Sequence, residues 1–496
     1  MPIVSVNPFR TSLSGAPIIL IDDDGTTIID DSGNALVDDG ADYNEILYAT
    51  DDDGTALVDD DGTQITDDPP YIMPPVTQWL QAVGANLTLQ DGTDFRLRGV
   101  NWSGFESRMF PGLLSVRAYK SITINGVVQQ GILDQIAAVG FNAVRFPICE
   151  DMTWDRAICQ SFDGVSVALN PDLINYNFLP AGADTANGYA LISPLEILDK
   201  MVAYAKSIGL RVVLDMHCSA PNTDNSIGFN GRWYTSTGPQ GPAGTTLGLA
   251  KDPRNEQSLI DAWVVLANRY KDEPAVCGFD LINEPWDTTW DDDPMTGLPA
   301  AYERIGNAIQ AVNPDVLIIC EGNLITEDQL PAYPSKYGTW PAWGQNLWGV
   351  HFRKVKLAVR QDKLCYAPHE YYGPEYNWTQ DYSFPQTMIE VWDTLWGWIV
   401  NMDIAPIIIT EWGGNFSGAI PDNVKWADAL MNYMYTNMGG KVNWFHWAMV
   451  PGNSSTGPDQ TVVGLIKQMD GAGGSNTLWP MQEDMVRRFI AGSQNA

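Results

Sequence analysis

From residue 75 onward the chain alternates short apolar runs, rich in β-branched residues, with longer stretches whose apolar positions recur at helical spacing. The runs predict strands over residues 95–102, 141–148, 211–218, 276–282, 316–320, 363–368, 406–410 and 442–447. The intervening patterns predict helices over 194–208, 256–270, 300–312, 385–400 and 424–437. Ser193 before Pro194 is a helix start and Gly209 a helix stop. Strands that alternate with helices build βαβ units around a parallel sheet, and eight of them over about 400 residues predict a (β/α)8 TIM barrel. The fifth connection, residues 324–361, has the weakest helical pattern, and its Trp340, Trp343 and Trp348 read as loop aromatics.

Residues 1–75 have a different texture. Up to Pro70 they hold sixteen Asp and one Glu against one Arg, and the unit Asp-Asp-Asp-Gly-Thr occurs three times, at 22–26, 51–55 and 59–63. Asp-Gly favours tight turns, so the segment reads as a ladder of small hairpins or an acidic linker, set apart from a catalytic domain over 76–496. Clustered carboxylates also raise calcium binding, although the spacing does not match a twelve-residue EF-hand loop. Repeated short strands rarely bury a core alone, which raises attachment to a larger assembly.

Composition narrows the function classes. Of the 496 residues 45% are apolar, and 19 Trp, 19 Tyr and 15 Phe exceed what a core alone requires, so some aromatics are expected to face a ligand. A net charge of -33 argues against nucleic acid and against anionic membranes as partners, and leaves a neutral polymer compatible. Cys149, Cys159, Cys218, Cys277, Cys320 and Cys365 lie in apolar segments without metal-ligand spacing and read as buried thiols; Cys149 and Cys159 are near enough in sequence for a local disulfide in an exported protein. No run approaches eighteen apolar residues, and residues 1–21 lack the basic, apolar and small-residue zones of an ordinary signal peptide.

The chemistry lies where the apolar runs stop. In a barrel of this kind the active site is at the C-terminal ends of the strands. Those ends deliver Asn101 and Trp102, then Arg145, then Asp215 and His217, then Asn283 and Glu284; later strands deliver His369 and Tyr371, Glu411, and finally His446 and Trp447. Charged groups are rarely buried without partners, so the collection reads as one polar site. Glu284 and Glu411, each closing an apolar run beside an indole, suggest acid/base and nucleophile work on a sugar. The histidines show no close pair or carboxylate spacing typical of a metal site.

Six segments, in order and on predicted strands, resemble a cellulase of glycoside hydrolase family 5: 99–106 (Gly-Val-Asn-Trp-Ser-Gly-Phe-Glu), 142–147 (Asn-Ala-Val-Arg-Phe-Pro), 214–217 (Leu-Asp-Met-His), 283–285 (Asn-Glu-Pro), 369–371 (His-Glu-Tyr) and 410–413 (Thr-Glu-Trp-Gly). The resemblance spans residues 95 to about 466 and implies the clan whose catalytic glutamates follow strands 4 and 7. It implies Glu284 as general acid/base, Glu411 as nucleophile, Arg145 supporting Glu411, Tyr371 on Glu411 or the sugar, His217 and His369 on hydroxyls or carboxylates, and Asn283 on the 2-hydroxyl. It places Trp447 under the sugar. Trp102, Trp286, Trp343 and Trp412 are equally read as cleft walls or core, and Trp392, Trp396 and Trp398 as helix packing.

The function implied is a retaining endo-β-1,4-glucanase that needs no cofactor or metal and works on extracellular β-glucan. β-Mannanase, exo-glucanase or β-glucosidase, and transglycosylase share the same central motifs. A carbohydrate-binding or attachment protein built on an inert barrel is the reading from another class.

Overall fold

The structure, a computed structural model, describes residues 18–19, 37–38, 73–106, 118–153, 170–173, 192–218, 255–286, 288–323, 344–372, 384–416, 421–449, 464–466, 478 and 480–494. The chain divides into two compact units, Met1–Ile72 and Met73–Ala496. In the first, Ile18–Ile19 pairs antiparallel with Val37–Asp38. The three Asp-Asp-Asp-Gly-Thr motifs lie outside the described residues, and the calcium and attachment readings lie there with them.

The second unit is built on eight parallel strands: β1 (Arg98–Asn101), β2 (Ala143–Cys149), β3 (Arg211–Cys218), β4 (Val276–Asp280), β5 (Leu317–Glu321), β6 (Leu364–Ala367 and His369–Tyr371), β7 (Ile408–Gly413) and β8 (Asn443–His446). Each pairs with the next, and β8 pairs with β1. Strand β6 has two halves because Pro368 has no N–H to give the ladder. Its first half pairs with β5 and its second with β7, and a bridge from Tyr366 to Ile407 completes the ring. The sheet is therefore the predicted (β/α)8 barrel.

Helices cover the outside, including α1 (Ile132–Val139), α2 (Pro194–Ser207), α3 (Glu256–Arg269) and α4 (Leu298–Gln310). Helix α2 begins with a capping box: Ser193 accepts from the Glu196 N–H while the Glu196 side chain accepts from the Ser193 N–H. The predicted helix at 385–400 is one helical run with a π turn at Asp393–Gly397. Two helices not among those predicted, α1 and the C-terminal Pro480–Gln494, complete the cover, and Phe489 of the latter stacks on Trp412 at 3.9 Å between ring centroids. In the fifth connection the described residues before Arg360 hold a single 3-10 turn, Trp348–His351.

Side-chain alternation explains where the polar site begins. The barrel interior is apolar at its N-terminal end, with Ala143, Val213, Ile319 and Ala367 in one cluster. Two residues further along the same strands stand Arg145, Asp215, Glu321 and His369, all fully buried. A strand returns to the same face every second residue, so one step of that period carries the wall from apolar to charged. The other end is closed by the antiparallel strands Leu80–Val83, Asn86–Leu89 and Asp94–Phe95, whose Leu80 and Leu87 join the interior cluster.

Two strand ends that differ from expectation position the two glutamates. β4 stops at Asp280 rather than 282, so Asn283 and Glu284 ride on the turn that follows. β7 continues to Gly413, which places Glu411 inside the ladder opposite His369. Cys149, Cys218, Cys277, Cys320 and Cys365 are free and buried, as read from their surroundings. Cys159 lies outside the described residues; Cys149 stands in register with Cys218 on the neighbouring strand.

Candidate active site

Arg145 is the centre of the polar layer. Its guanidinium is fully buried and donates to Glu411 Oε1 at 2.9 Å, Asn101 Oδ1 at 2.9 Å, Asn283 Oδ1 at 3.1 Å, Asp280 Oδ2 at 3.0 and 3.1 Å, and Glu321 Oε1 at 3.3 Å. Asp215 Oδ1 lies 3.0 Å away. One cation thus faces four carboxylates from β3, β4, β5 and β7. Burial opposes its charge, but Asp215, Asp280, Glu411 and Glu321 hold the guanidinium protonated far beyond any working pH. Removing one member of such a buried group strands the others without compensation. Arg145→Met is therefore expected to cost about 3–5 kcal/mol of stability, read as a lower midpoint in urea unfolding.

Glu411 sits where an ionised carboxylate is favoured. Burial pushes its carboxyl up, but the charges of His369, Arg145 and His217, with the hydroxyl of Tyr371 donating to Oε2 at 2.7 Å, hold it below the usual carboxylate range. Glu284 lives differently. Its side chain is 29% exposed, and Oε1 lies 3.0 Å from His369 Nδ1. The backbone at Glu284 is left-handed, with φ 45°, a conformation that costs a non-glycine residue roughly 1–3 kcal/mol. Its N–H donates to Glu321 Oε2 at 2.7 Å, and a hydrogen bond to a buried carboxylate offsets a cost of that size, about 1.5–3 kcal/mol. Oxygen atoms of Glu284 and Glu411 lie within 4.8 Å of one another, with a His369 nitrogen inside the same limit.

Around the pair, His217 Nδ1 is 2.7 Å from Asp215 Oδ2, and its ring lies parallel to Trp447, 5.7 Å between centroids at 9°. Burial lowers the His217 pKa, yet Asp215, Glu411 and Glu106 raise it to about 9 overall. His369 Nε2 is 3.1 Å from both Thr410 Oγ1 and Glu321 Oε1, and the carboxylates of Glu321 and Glu411 raise its pKa well above the imidazole value despite burial.

The structure thus gathers Glu284, Glu411, Arg145, Asn283, His369 and Tyr371 into one hydrogen-bonded constellation, with His217 and Trp447 forming a parallel aromatic platform. Trp102 is 2% exposed and packs on Phe146, so it belongs to the core beneath the strand end. Trp412 is also core, between Phe489 and Trp444. Trp286 is half-buried on the turn after Glu284, and Trp343 lies outside the described residues. Trp392 and Trp396 pack on the helix as expected, and also donate their indole N–H groups to Glu370 at 2.9 and 2.6 Å.

Two buried acids at the site, Asp280 and Glu321, are absent from the strand-end reading, as is Glu370, which is buried away from it against Gln345, Trp392 and Trp396. Burial and the neighbouring Glu321 hold Asp280 well above the usual carboxylate range. Among the described residues two groups approach metal-ligand geometry, Glu284 with His369 and Glu411, and Asp215 with Asp280 and Glu321. In the second, Arg145 Nη2 already stands 3.0 to 3.3 Å from all three carboxylates, the place a cation would take. In the first, His369 Nδ1 is engaged by Glu284.

Comparison with known proteins bears on this geometry. Residues 90–453 match the family model described as cellulase (glycosyl hydrolase family 5). An endoglucanase from Paenibacillus polymyxa is 30% identical over 386 residues, covering 75% of this chain and 80% of that protein. Endoglucanase G from Acetivibrio thermocellus is 28% identical over 421 residues, covering 76% and 67%. Among solved structures, an endocellulase from Pyrococcus horikoshii in complex with cellotetraose superposes with a TM-score of 0.64 at 25% identity, covering 84% of this chain and all of that one.

Proposed function

The chain belongs to glycosyl hydrolase family 5, and on that premise we propose that it is a retaining endo-β-1,4-glucanase acting on cellulose-like chains. The observation that carries the stereochemistry is the carboxylate separation. Retaining enzymes hold their two carboxyl groups about 5–5.5 Å apart, whereas inverting enzymes leave about 6.5–9.5 Å for a water. Glu284 and Glu411 bring oxygen atoms within 4.8 Å of one another, an approach that favours the first.

In this reading Glu411 attacks the anomeric carbon while Glu284 gives its proton to the departing glycosidic oxygen. A water then enters on the same face, loses its proton to Glu284, and displaces Glu411. The difference in setting suits the two roles, because Glu411 is held ionised by two imidazoles and a guanidinium, while Glu284 is partly open to solvent and to the leaving group. Asn283, whose Oδ1 is tied to Arg145, has its side-chain NH2 left for the 2-hydroxyl. The His217–Trp447 platform offers a flat face to the C–H side of glucose. Such a polymer does not enter cells, and a relative from Xanthomonas campestris is named as a major extracellular endoglucanase, which supports an extracellular place of work.

The test is one panel. With carboxymethylcellulose, mixed-linkage β-glucan and mannan, reducing ends are expected from the glucans, the viscosity is expected to fall early as internal bonds break, and the first product from cellotetraose is expected as the β-anomer by NMR. Release of the α-anomer first, or activity confined to mannan, would sink the proposal.

A further inference from the structure

Glu321 is fully buried, is not one of the two proposed catalytic acids, and yet touches three of the elements on which they depend. Its Oε2 accepts the N–H of Glu284 at 2.7 Å. Its Oε1 lies 3.1 Å from His369 Nε2 and 3.3 Å from Arg145 Nη2. Above it the chain passes close: a Cβ on Gly344, whose φ is 70°, would stand 2.8 Å from Glu321 Oε2 and 3.3 Å from His369 Cγ. Burial pushes the Glu321 carboxyl up, but His369 and Arg145 oppose that push, and three donors converge on the side chain, the arrangement that suits a carboxylate. Asp280 beside it has a buried Oδ1 without a hydrogen-bond partner, and burial and Glu321 hold its carboxyl well above the usual carboxylate range.

We propose that Glu321 is a positioning residue for the proton donor, gripping Glu284 through its backbone N–H and through the His369 ring while joining both to the guanidinium that supports Glu411. The inference rests on the roles proposed above for the two glutamates. With Nε2 directed at Glu321 and Thr410, the imidazole has Nδ1 left to meet Glu284 Oε1 at 3.0 Å. The Glu284 carboxyl is thereby held at both ends, by the left-handed backbone beneath it and by the ring beside it. The acids that act on His369 are Glu321 of β5, Glu411 of β7, Glu284, and Asp280 of β4.

Glu321→Gln keeps the shape and removes the charge. If Glu321 positions the acid, kcat/KM for cellotetraose, whose leaving group needs a proton, is expected to fall about 100-fold. For 2,4-dinitrophenyl cellobioside, whose leaving group needs none, it is expected to stay within about threefold. In a protein with 15N-labelled histidine, the His369 ring is expected to titrate at lower pH in the variant, since a neighbouring anion is gone. Equal losses on both substrates with an unmoved His369 titration would mean that Glu321 only supports the fold, and would overturn the proposal. Gly344→Ala, which crowds Glu321 without removing its charge, supplies the same substrate comparison if the glutamine variant does not fold; an equal loss there likewise overturns the proposal. Inactivity of the parent enzyme on any β-1,4-glucan would instead remove the functional reading, and the titration would still report on the Glu321–His369 contact.

Discussion

Replacing Glu411 with alanine is expected to lower turnover of both cellotetraose and an activated aryl cellobioside by about 10⁴-fold or more, because the proposed attack on the anomeric carbon loses its nucleophile. In the parent enzyme a 2-deoxy-2-fluoro cellobioside with a good leaving group is expected to leave its sugar on the protein, and peptide mapping to place it on Glu411. A label on another residue, or none in an enzyme that is otherwise active, would refute the nucleophile. The environment adds a pH signature. Since His369, Arg145 and His217 hold Glu411 below the ordinary carboxylate range, it stays ionised as pH falls through that range and is protonated only below it. The acid limb of kcat/KM for the aryl cellobioside is therefore expected at lower pH than an isolated glutamate would give.

Glu284→Gln is expected to behave differently on the two substrates, and the difference is its signature. Hydrolysis of unactivated glucan is expected to fall about 10²–10⁴-fold, the range general acid catalysis supplies. An aryl cellobioside with a good leaving group still forms the glycosyl intermediate, which then persists because water has lost its base. Azide, a nucleophile that needs no base, is expected to restore turnover and yield the β-glycosyl azide. Unchanged activity of this variant on glucan would take Glu284 out of the proton-transfer role.

The barrel was legible because its strands are buried on both sides and read as unbroken apolar runs, each ended by a polar group. The same logic exposed Glu284 and Glu411, one just past the end of its run and one where the β-branched stretch meets Trp412. It failed for Asp280, which sits inside an apolar run with Leu281 and Ile282 behind it. It failed for Glu321 because the predicted strand stopped at 320, one residue short, although the inward series Leu317, Ile319, Glu321 was present. Aromatic residues resisted for another reason. An indole favours both core and sugar, and only the fold tells Trp412, packed on Phe489, from Trp447, laid over His217.

The abrupt passage from apolar to charged inside the barrel has a consequence for folding as well as for chemistry. Parallel strands can slip by two residues and keep their faces, so apolar patterning alone tolerates that error. Here such a slip would carry Arg145, Asp215, Glu321 or His369 down among Ala143, Val213, Ile319 and Ala367, away from the partners that neutralise it. An unpaired charge in that layer costs several kcal/mol, comparable with much of a domain's net stability. The groups proposed to cut the glucan chain thus act as a vernier, setting the alignment of the strands that carry them.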